Sequence, residues 1–93
     1  MTNKTPNLWC VYILECADST FYTGITNNLS ERVKKHNIGK GAKYTRARLP
    51  VTIVYHETAD DKGKALQREY AIKQFSRQKK IQLIKTIKVE ENT

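Results

Sequence analysis

The chain has 93 residues, of which 39% are hydrophobic, and this predicts one small domain with a single compact core. No run approaches the roughly 18 apolar residues of a membrane-spanning helix, and the opening MTNKTPN lacks the apolar segment of a secretory signal. The sequence therefore excludes a membrane-spanning and a secreted protein, and a cytoplasmic protein is expected. Lys and Arg number 17 against 9 Asp and Glu, and the net charge of +8 fits a phosphate-rich partner such as nucleic acid.

The first half of the chain predicts a β-hairpin followed by a helix. LWCVYILEC (8–16) is rich in strand formers, ADS (17–19) is a turn, and FYTGI (21–25) is the returning strand. A helix is expected from about Leu29 to Ile38, with Asn27 or Asn28 as its N-cap and Gly39 as its stop.

The second half predicts one more strand and two helices. GKGAKYTRARLP (39–50) is basic and too irregular for an element, whereas VTIVYHE (51–57) alternates as a strand does. Helices are expected from Asp60 or Asp61 to about Phe75, and from about Gln78 to Lys88 after a cap at Ser76. The order ββαβαα predicts an α+β domain over residues 8–88, with a three-stranded, mainly antiparallel sheet flanked by helices and frayed tails at 1–7 and 89–93.

The two cysteines are assigned to the first strand and not to a disulfide. In an extended strand the six positions from Cys10 to Cys16 span roughly 20 Å, beyond the reach of a disulfide. Their spacing also matches no zinc site. They are interpreted as small buried hydrophobic residues of a protein in a reducing compartment.

The basic residues are segregated along the chain. Seven lie between Arg32 and Arg48 and nine between Lys62 and Lys88, while the predicted hairpin carries none. Clustered positive charge gains from counterion release on nucleic acid. A merely solubilising basic surface remains an alternative interpretation of the charge alone.

Two tyrosines, Tyr12 and Tyr22, raise the question of the hairpin register. A three-residue loop would pair Tyr12 with Gly24 and Leu14 with Tyr22, so that both phenols share one face. A two-residue loop would place the phenols on opposite faces. Opposite Tyr12, Gly24 would leave room for a ligand over the phenol, although a bulge or strand end also explains a glycine there.

Three charged or polar side chains fall on predicted packing stripes of helices. Arg32 and His36 share a stripe with Leu29 and Val33 at spacings of three and four residues. Glu69 follows Ala65 on the next helix, where a carboxylate needs a metal, a cation or a proton. Arg32 could be that cation in a structural ion pair, or Glu69 could be a lone oxygen ligand of Mg²⁺.

Together these residues supply the groups that phosphodiester hydrolysis needs. A divalent metal stabilises charge on the phosphate, an arginine holds its oxygens, and a phenol or imidazole accepts the proton of the attacking water. A phenol with a pKa near 10 is a poor base at pH 7. It therefore needs a neighbouring cation or base, and Arg32 or His36 could provide one.

The ordered motifs resemble the GIY-YIG nuclease superfamily, and more closely its small single-domain bacterial branch, related to the catalytic domain of structure-specific junction endonucleases. Cys10-Val11-Tyr12 stands at the GIY position and Tyr22-Thr23-Gly24 at the YIG position. The likeness continues through GITNNLSERVKKH (24–36), GKGAKYTRARLP (39–50) and ALQREYAIKQFSRQKK (65–80), and so covers roughly residues 8–85.

The resemblance implies the odd hairpin register and a role for each site residue. Tyr12 would be the general base or position the attacking water, Tyr22 would hold water or phosphate, and His36 would orient or deprotonate a tyrosine. Arg32 would stabilise the transition state, and Glu69 would be the sole protein ligand of Mg²⁺ or Mn²⁺. Nucleic-acid contacts would come from the basic loop, at Lys40, Lys43, Tyr44, Arg46 and Arg48.

Two departures from the family pattern bear on activity. Cys10 replaces the first glycine, and residues 70–91 contain no Asn, which many active members carry after the metal-ligand helix; Gln74 and Gln78 are the candidate replacements. The sequence therefore predicts a monomeric metal-dependent nuclease acting on branched, nicked or single-stranded DNA, in repair or recombination. DNA is favoured over RNA, and the alternatives are a non-catalytic nucleic-acid-binding module and a catalytic component that needs a partner.

Overall fold

The computed structural model describes residues 8–91, with side chains described as far as Ile87. Its elements are β1 (Trp9–Glu15), β2 (Phe21–Thr26), α1 (Leu29–Asn37), α2 (Lys43–Arg46), β3 (Thr52–Ala59), α3 (Lys62–Lys73) and α4 (Arg77–Glu91). The α+β class and the three-stranded sheet are confirmed. The predicted tail at 1–7 and residues 92–93 lie outside the described residues, and α4 continues past the predicted end at Lys88. Within residues 8–91, no helix combines the length and the apolar character needed to cross a bilayer.

The sheet has the order β2-β1-β3 and both pairings are antiparallel. The central strand β1 is buried on both faces, which explains why Val11, Tyr12, Ile13 and Leu14 form a nearly continuous apolar run. In the hairpin, the Cys16 N–H donates to the Thr20 carbonyl at 2.8 Å, so that residues 17–19 form a three-residue loop. Tyr12 therefore pairs with Gly24 and Leu14 with Tyr22, which confirms the odd register.

The helices cover the two faces of the sheet in separate layers. On one face, Val11 and Ile13 of β1 form a core with Tyr55, Ala65, Ile72 and Ile84, contributed by β3, α3 and α4. On the other face, Tyr12, Leu14 and Cys16 pack with Val51 and with Leu29 and Val33 of α1. The face that carries Tyr12 is therefore the face that α1 covers.

Helix α1 is fixed at both ends by local bonds. The Asn28 side chain accepts from the Glu31 N–H, as an N-cap does. Gly39 has φ +81°, the left-handed conformation that ends many helices. The Asn37 side chain bonds both backbone groups of Val51, at 2.8 and 3.0 Å, and so ties α1 to the approach to β3.

Three details of the sequence prediction are corrected. The segment 39–50 is not wholly irregular, because Lys43–Arg46 form the short helix α2. Cys16 lies just beyond β1 and not within it, although both cysteines are buried and free as expected. Helix α3 ends at Lys73 and α4 begins at Arg77, so the break between them is slightly earlier than predicted. The cap predicted at Ser76 is present, because its hydroxyl accepts from the Lys79 N–H.

Candidate active site

A chain of buried hydrogen bonds begins at Tyr12. The Tyr12 residue is 1% exposed, and its phenol oxygen lies 2.9 Å from Nε2 of His36, which is fully buried. Nδ1 of His36 lies 2.8 Å from the Thr45 hydroxyl, and that hydroxyl donates to the Ala42 carbonyl at 3.0 Å. Four groups from β1, α1 and α2 are thus joined in one sequence of bonds.

This chain determines which histidine nitrogen carries the proton. A carbonyl only accepts, so the single proton of the Thr45 hydroxyl is used on Ala42. The hydroxyl must then accept from His36, which places the histidine proton on Nδ1. Nε2 is left with a free lone pair, and it accepts from the Tyr12 phenol.

Burial keeps both titrating groups of this chain neutral near pH 7. Desolvation lowers the pKa of His36, and the Arg32 guanidinium lowers it further by charge repulsion. Desolvation also raises the pKa of Tyr12, with partial opposition from Arg32 and a smaller increase from Tyr22 and Glu69. The resting state is therefore a neutral phenol donating to a neutral imidazole.

Tyr22 and Gly24 complete the aromatic part of the site. The Tyr22 ring is centred 6.4 Å from the Tyr12 ring and 5.3 Å from the His36 ring. A Cβ on Gly24 would lie 2.6 Å from the Tyr12 phenol oxygen and 3.1 Å from the Tyr22 ring. The space opposite Tyr12 that was predicted for a ligand is therefore filled by the phenol itself, and the glycine allows it to lie there.

Gly41 has the same function for the histidine. A Cβ at this position would lie 2.3 Å from Nδ1 of His36 and 2.8 Å from the His36 Cα. The loop can pass over the buried imidazole only because this residue has no side chain.

Arg32 and Glu69 reach the site from α1 and α3. Arg32 is half-buried and acts electrostatically on both Tyr12 and His36. The Glu69 side chain is 17% exposed, and its carboxylate lies 3.4 Å from Nζ of Lys73. The structural ion pair considered between Arg32 and Glu69 is therefore wrong, because the cation beside Glu69 is Lys73, one helical turn along α3.

Two of the residues predicted to contact nucleic acid, Tyr44 and Arg48, also make contacts that support Tyr22. The Tyr44 ring stacks on Tyr22 with centroids 6.2 Å apart, and Cζ of Arg48 lies 3.8 Å from the Tyr44 ring centre. Arg48 also donates to the Tyr44 carbonyl at 2.8 Å and to the Asp18 carboxylate at 3.0 Å. The guanidinium of Arg48 is thereby committed to contacts inside the protein.

The other basic residues of this segment, Lys40, Lys43 and Arg46, are exposed. Their ammonium and guanidinium groups remain available to a polyanion near the site. No group of three or more His, Cys, Asp or Glu side chains within residues 8–87 is arranged to hold a metal, so Glu69 is considered as a single ligand.

Sequence reasoning did not identify Thr45 and Gly41. A threonine in a basic loop carries no signal of its own, since its role depends on the side chain of α1 that it meets. Gly41 did carry a signal, because it and Gly39 are two glycines in three residues, a pattern typical of close backbone approach.

Comparison with known proteins adds family evidence to this geometry. The family model for the GIY-YIG catalytic domain matches residues 8–82. A UPF0213 protein from Desulfotalea psychrophila is 55% identical over 78 residues, or 83% of this chain and 71% of that protein. A UPF0213 protein from Staphylococcus aureus is 53% identical over 75 residues, or 81% of this chain and 92% of that protein.

Two solved structures share the fold. The solution NMR structure of a UPF0213 protein from Bacillus halodurans is 47% identical, with a TM-score of 0.55, and the match covers 85% of this chain and 84% of that one. The solution NMR structure of a protein from E. faecalis is 36% identical, with a TM-score of 0.60, and covers 96% and 93%. The family resemblance inferred from the motifs is confirmed.

Proposed function

The chain belongs to the GIY-YIG catalytic domain family, and from this membership together with the site geometry we propose that it is a nuclease that hydrolyses phosphodiester bonds in DNA. The observation that carries the proposal is the hydrogen bond of 2.9 Å between the Tyr12 phenol and Nε2 of a neutral, fully buried His36. Any buried phenol needs a hydrogen-bond partner, but here the partner is an imidazole nitrogen, which can also take the phenol proton as general-base chemistry requires.

The proposed proton transfer is a relay from water to histidine. As the water oxygen bonds to phosphorus, its proton passes to the Tyr12 phenol oxygen, and the phenol proton passes to Nε2 of His36. The P–O bond to the leaving sugar breaks, and the sugar oxygen keeps the electron pair of that bond and takes a proton from solvent water. His36 ends the step as an imidazolium held through Nδ1 by Thr45. Because the proton ends on the imidazole, the raised pKa of the Tyr12 phenol does not prevent it from acting.

Arg32 and Tyr22 are proposed to hold the phosphate. Arg32 offers a fork of N–H donors suited to two phosphate oxygens, and it lies close enough to Tyr12 to affect the pKa of that phenol. Tyr22 is half-buried beside both Tyr12 and His36, and its phenol can donate to a third oxygen or to the attacking water.

Glu69 fits the role of a single divalent-metal ligand. Its carboxylate is a hard oxygen donor on the site side of α3, and Mg²⁺ commonly takes one or two protein carboxylates and completes its shell with water and phosphate oxygens. Bound there, Mg²⁺ or Mn²⁺ would supply positive charge to the phosphate. Lys73 competes for the same carboxylate at 3.4 Å and would have to turn away.

The test is cleavage of labelled single-stranded, duplex, nicked, flap and four-way-junction DNA and of an RNA strand, each with Mg²⁺, Mn²⁺ or EDTA. We expect metal-dependent cutting by the native chain that Tyr12→Phe and Glu69→Ala each abolish, with Lys64→Ala, an exposed lysine at the start of α3, as control. Cleavage confined to branched or nicked DNA would fit a role in DNA repair or recombination.

A nucleic-acid-binding module without activity is the second candidate. The observation that favours it is the occupied Glu69 carboxylate, which already has Lys73 as its counter-ion. Tight, salt-sensitive binding with no cutting of any substrate would reject the nuclease and support this candidate. A Lys73→Ala variant that begins to cut would instead show that the ion pair masks the metal ligand.

A further inference from the structure

A cleft of about 270 Å³ borders the site at Tyr22. Its floor comes from the edge strand β2, which pairs only with β1 among the described strands. Its walls come from α2, α3 and α4, and the residues that line it are Phe21, Tyr22, Thr23, Tyr44, Lys73 and Lys80. The cleft therefore extends from a proposed catalytic tyrosine to two lysines outside the basic loop.

The charge of the cleft favours an anion. Its lining includes the two ammonium groups of Lys73 and Lys80 and no carboxylate. Lys73 has Glu69 as a neighbour, but Lys80 makes no ion pair with any carboxylate whose side chain the structure describes. A phosphate of a chain that passes Tyr22 would meet both amines.

A polar atom on the cleft wall also lacks a partner. Thr23 is 4% exposed, and its hydroxyl is buried without a hydrogen bond among the described residues. Buried hydroxyls are normally paired, because leaving one unpaired is costly. The oxygen itself is closed to solvent, so Thr23 contributes to the wall of the cleft and does not bond to a ligand there.

An exposed aromatic side chain stands next to the cleft on α3. Tyr70 is 69% exposed, and it is three residues before Lys73, so the two share one side of the helix. Leu66, one turn earlier, is 46% exposed and extends the same apolar stripe. Arg48 and Arg77 lie over the rings of Tyr44 and Phe21, at 3.8 and 4.7 Å, and Tyr44 is 38% exposed, so Tyr70, at 69%, is the more exposed ring near the lysines.

We propose that the β2-edge cleft, with Tyr70 at its rim, binds an unpaired nucleic-acid strand next to the scissile phosphate. Lys73 and Lys80 hold backbone phosphates, and Tyr70 stacks on a base. This inference rests on the proposed nuclease function, and it adds the strand flanking the cleaved bond as the ligand and two lysines as its contacts.

An unpaired strand fits this cleft better than a duplex does, because only an unpaired strand exposes the faces of its bases. In a duplex the base faces are stacked inside the helix, so that Tyr70 could reach only backbone or groove edges. In a single strand the base faces are free, and a basic groove with aromatic side chains is the usual way to bind one.

The test is fluorescence anisotropy of a labelled oligothymidylate and of a duplex of equal length, in EDTA and over a series of salt concentrations. Lys80→Gln should bind the single strand several-fold more weakly and flatten the slope of log K against log salt by about 0.7. Tyr70→Ala should weaken single-strand binding roughly fivefold or more while leaving duplex binding unchanged.

Lys85→Gln is the matched control, since Lys85 is on the same helix and lines a different cleft with Glu15 and Val54. Equal losses in Lys80→Gln and Lys85→Gln would overturn the proposal by showing that net charge alone matters. Unchanged single-strand binding in Tyr70→Ala would also overturn it. If either result is obtained but the native chain still cuts DNA, only the strand-binding proposal is rejected and the nuclease function stands. If the native chain neither binds nor cuts DNA, both proposals are rejected.

Discussion

Replacing Thr45 with valine tests whether the buried bond chain controls the proton on His36. Valine keeps the shape of the side chain but removes the hydroxyl that accepts from Nδ1 and donates to Ala42. Two responses are open to the imidazole. It can keep its proton on Nδ1, which then has no acceptor, or it can move the proton to Nε2, which then points at the Tyr12 oxygen.

Either response leaves one buried donor without a partner. In the first it is the Nδ1–H of His36, and in the second it is the O–H of Tyr12, whose acceptor has been lost. An unpaired buried donor costs about 1–3 kcal/mol in the free energy of unfolding. For a domain of this size, each 1 kcal/mol corresponds to about 4–8 °C in Tm.

The second response also removes the base. With the proton on Nε2, the phenol has no site to which it can pass a proton, and general-base catalysis of this kind is worth about 10²–10⁴ in rate. The two responses keep the same number of hydrogen bonds, but the phenol O–H can rotate towards another acceptor whereas the direction of a ring N–H is fixed, so we expect the proton to shift to Nε2. The rate of DNA cleavage should then fall by that factor.

The assay combines long-range ¹H–¹⁵N NMR of the histidine rings, urea unfolding and cleavage kinetics. His56 is exposed and serves as an internal reference in the NMR spectra. Thr45→Ser retains the hydroxyl and should keep the native Nδ1–H form and most of the activity. A Thr45→Val chain with the native tautomer, an unchanged free energy of unfolding and native activity would refute the reasoning.

Three further predictions follow from the same contacts. Gly24→Ala places a Cβ 2.6 Å from the Tyr12 phenol oxygen, so urea unfolding should show a loss of about 1–3 kcal/mol and cleavage should fall sharply. Thr23→Val replaces an unpaired buried hydroxyl with a methyl group and should raise the free energy of unfolding by about 1 kcal/mol. Because burial lowers the pKa of His36, the stability that this residue contributes is complete above its unfolded pKa of 6.5 and is lost as pH falls through the lower folded pKa. For the same reason kcat/KM should persist below pH 6.5.

Each of these predictions has a matched comparison. Gly63→Ala, where the nearest contact of the added Cβ is the flexible Asp61 carboxylate at 3.3 Å, should not lose stability. Thr23→Ser keeps the hydroxyl and should gain none. His36→Gln should lack the part of the pH dependence of the free energy of unfolding that the native chain shows below pH 6.5. A loss in Gly63→Ala equal to that of Gly24→Ala, a gain in Thr23→Ser, or an unchanged pH profile in His36→Gln would contradict the respective reasoning.

The sequence predicted the element order apart from the short helix α2, and the buried sides of α1, α3 and α4, but it left the hairpin register open. The register depends on Ser19, which has φ 69° and completes the three-residue loop. A glycine or asparagine there would have signalled the left-handed conformation, whereas serine adopts it without a recognisable pattern. The shared face of Tyr12 and Tyr22 therefore became certain only once the strands were paired.

The partner of Glu69 shows a different limit. Its burial was predicted correctly from its place beside Ala65 and Ile72 on α3. Arg32, on another helix, was the candidate cation for this carboxylate, yet Lys73 stands at the simple i, i+4 spacing. An ion pair at i, i+4 within one helix can be predicted from the sequence spacing alone. An ion pair between two helices can be predicted only when the packing of those helices is known.

The segment 42–48 also has a positioning role that its charge did not suggest. Thr45 holds His36 and through it Tyr12, while Tyr44 packs on Tyr22 and is itself held by Arg48 and Asp18. Both site tyrosines are therefore positioned from one short helix and its flanks. A guanidinium bonded to Asp18 and lying on Tyr44 can bind phosphate only by giving up those contacts, so removal of Arg48 should disturb Tyr22 more than it weakens the attraction for DNA. In the function proposed above, the exposed Lys40, Lys43 and Arg46 would supply the long-range charge, and the β2-edge cleft would supply the contacts with the strand itself.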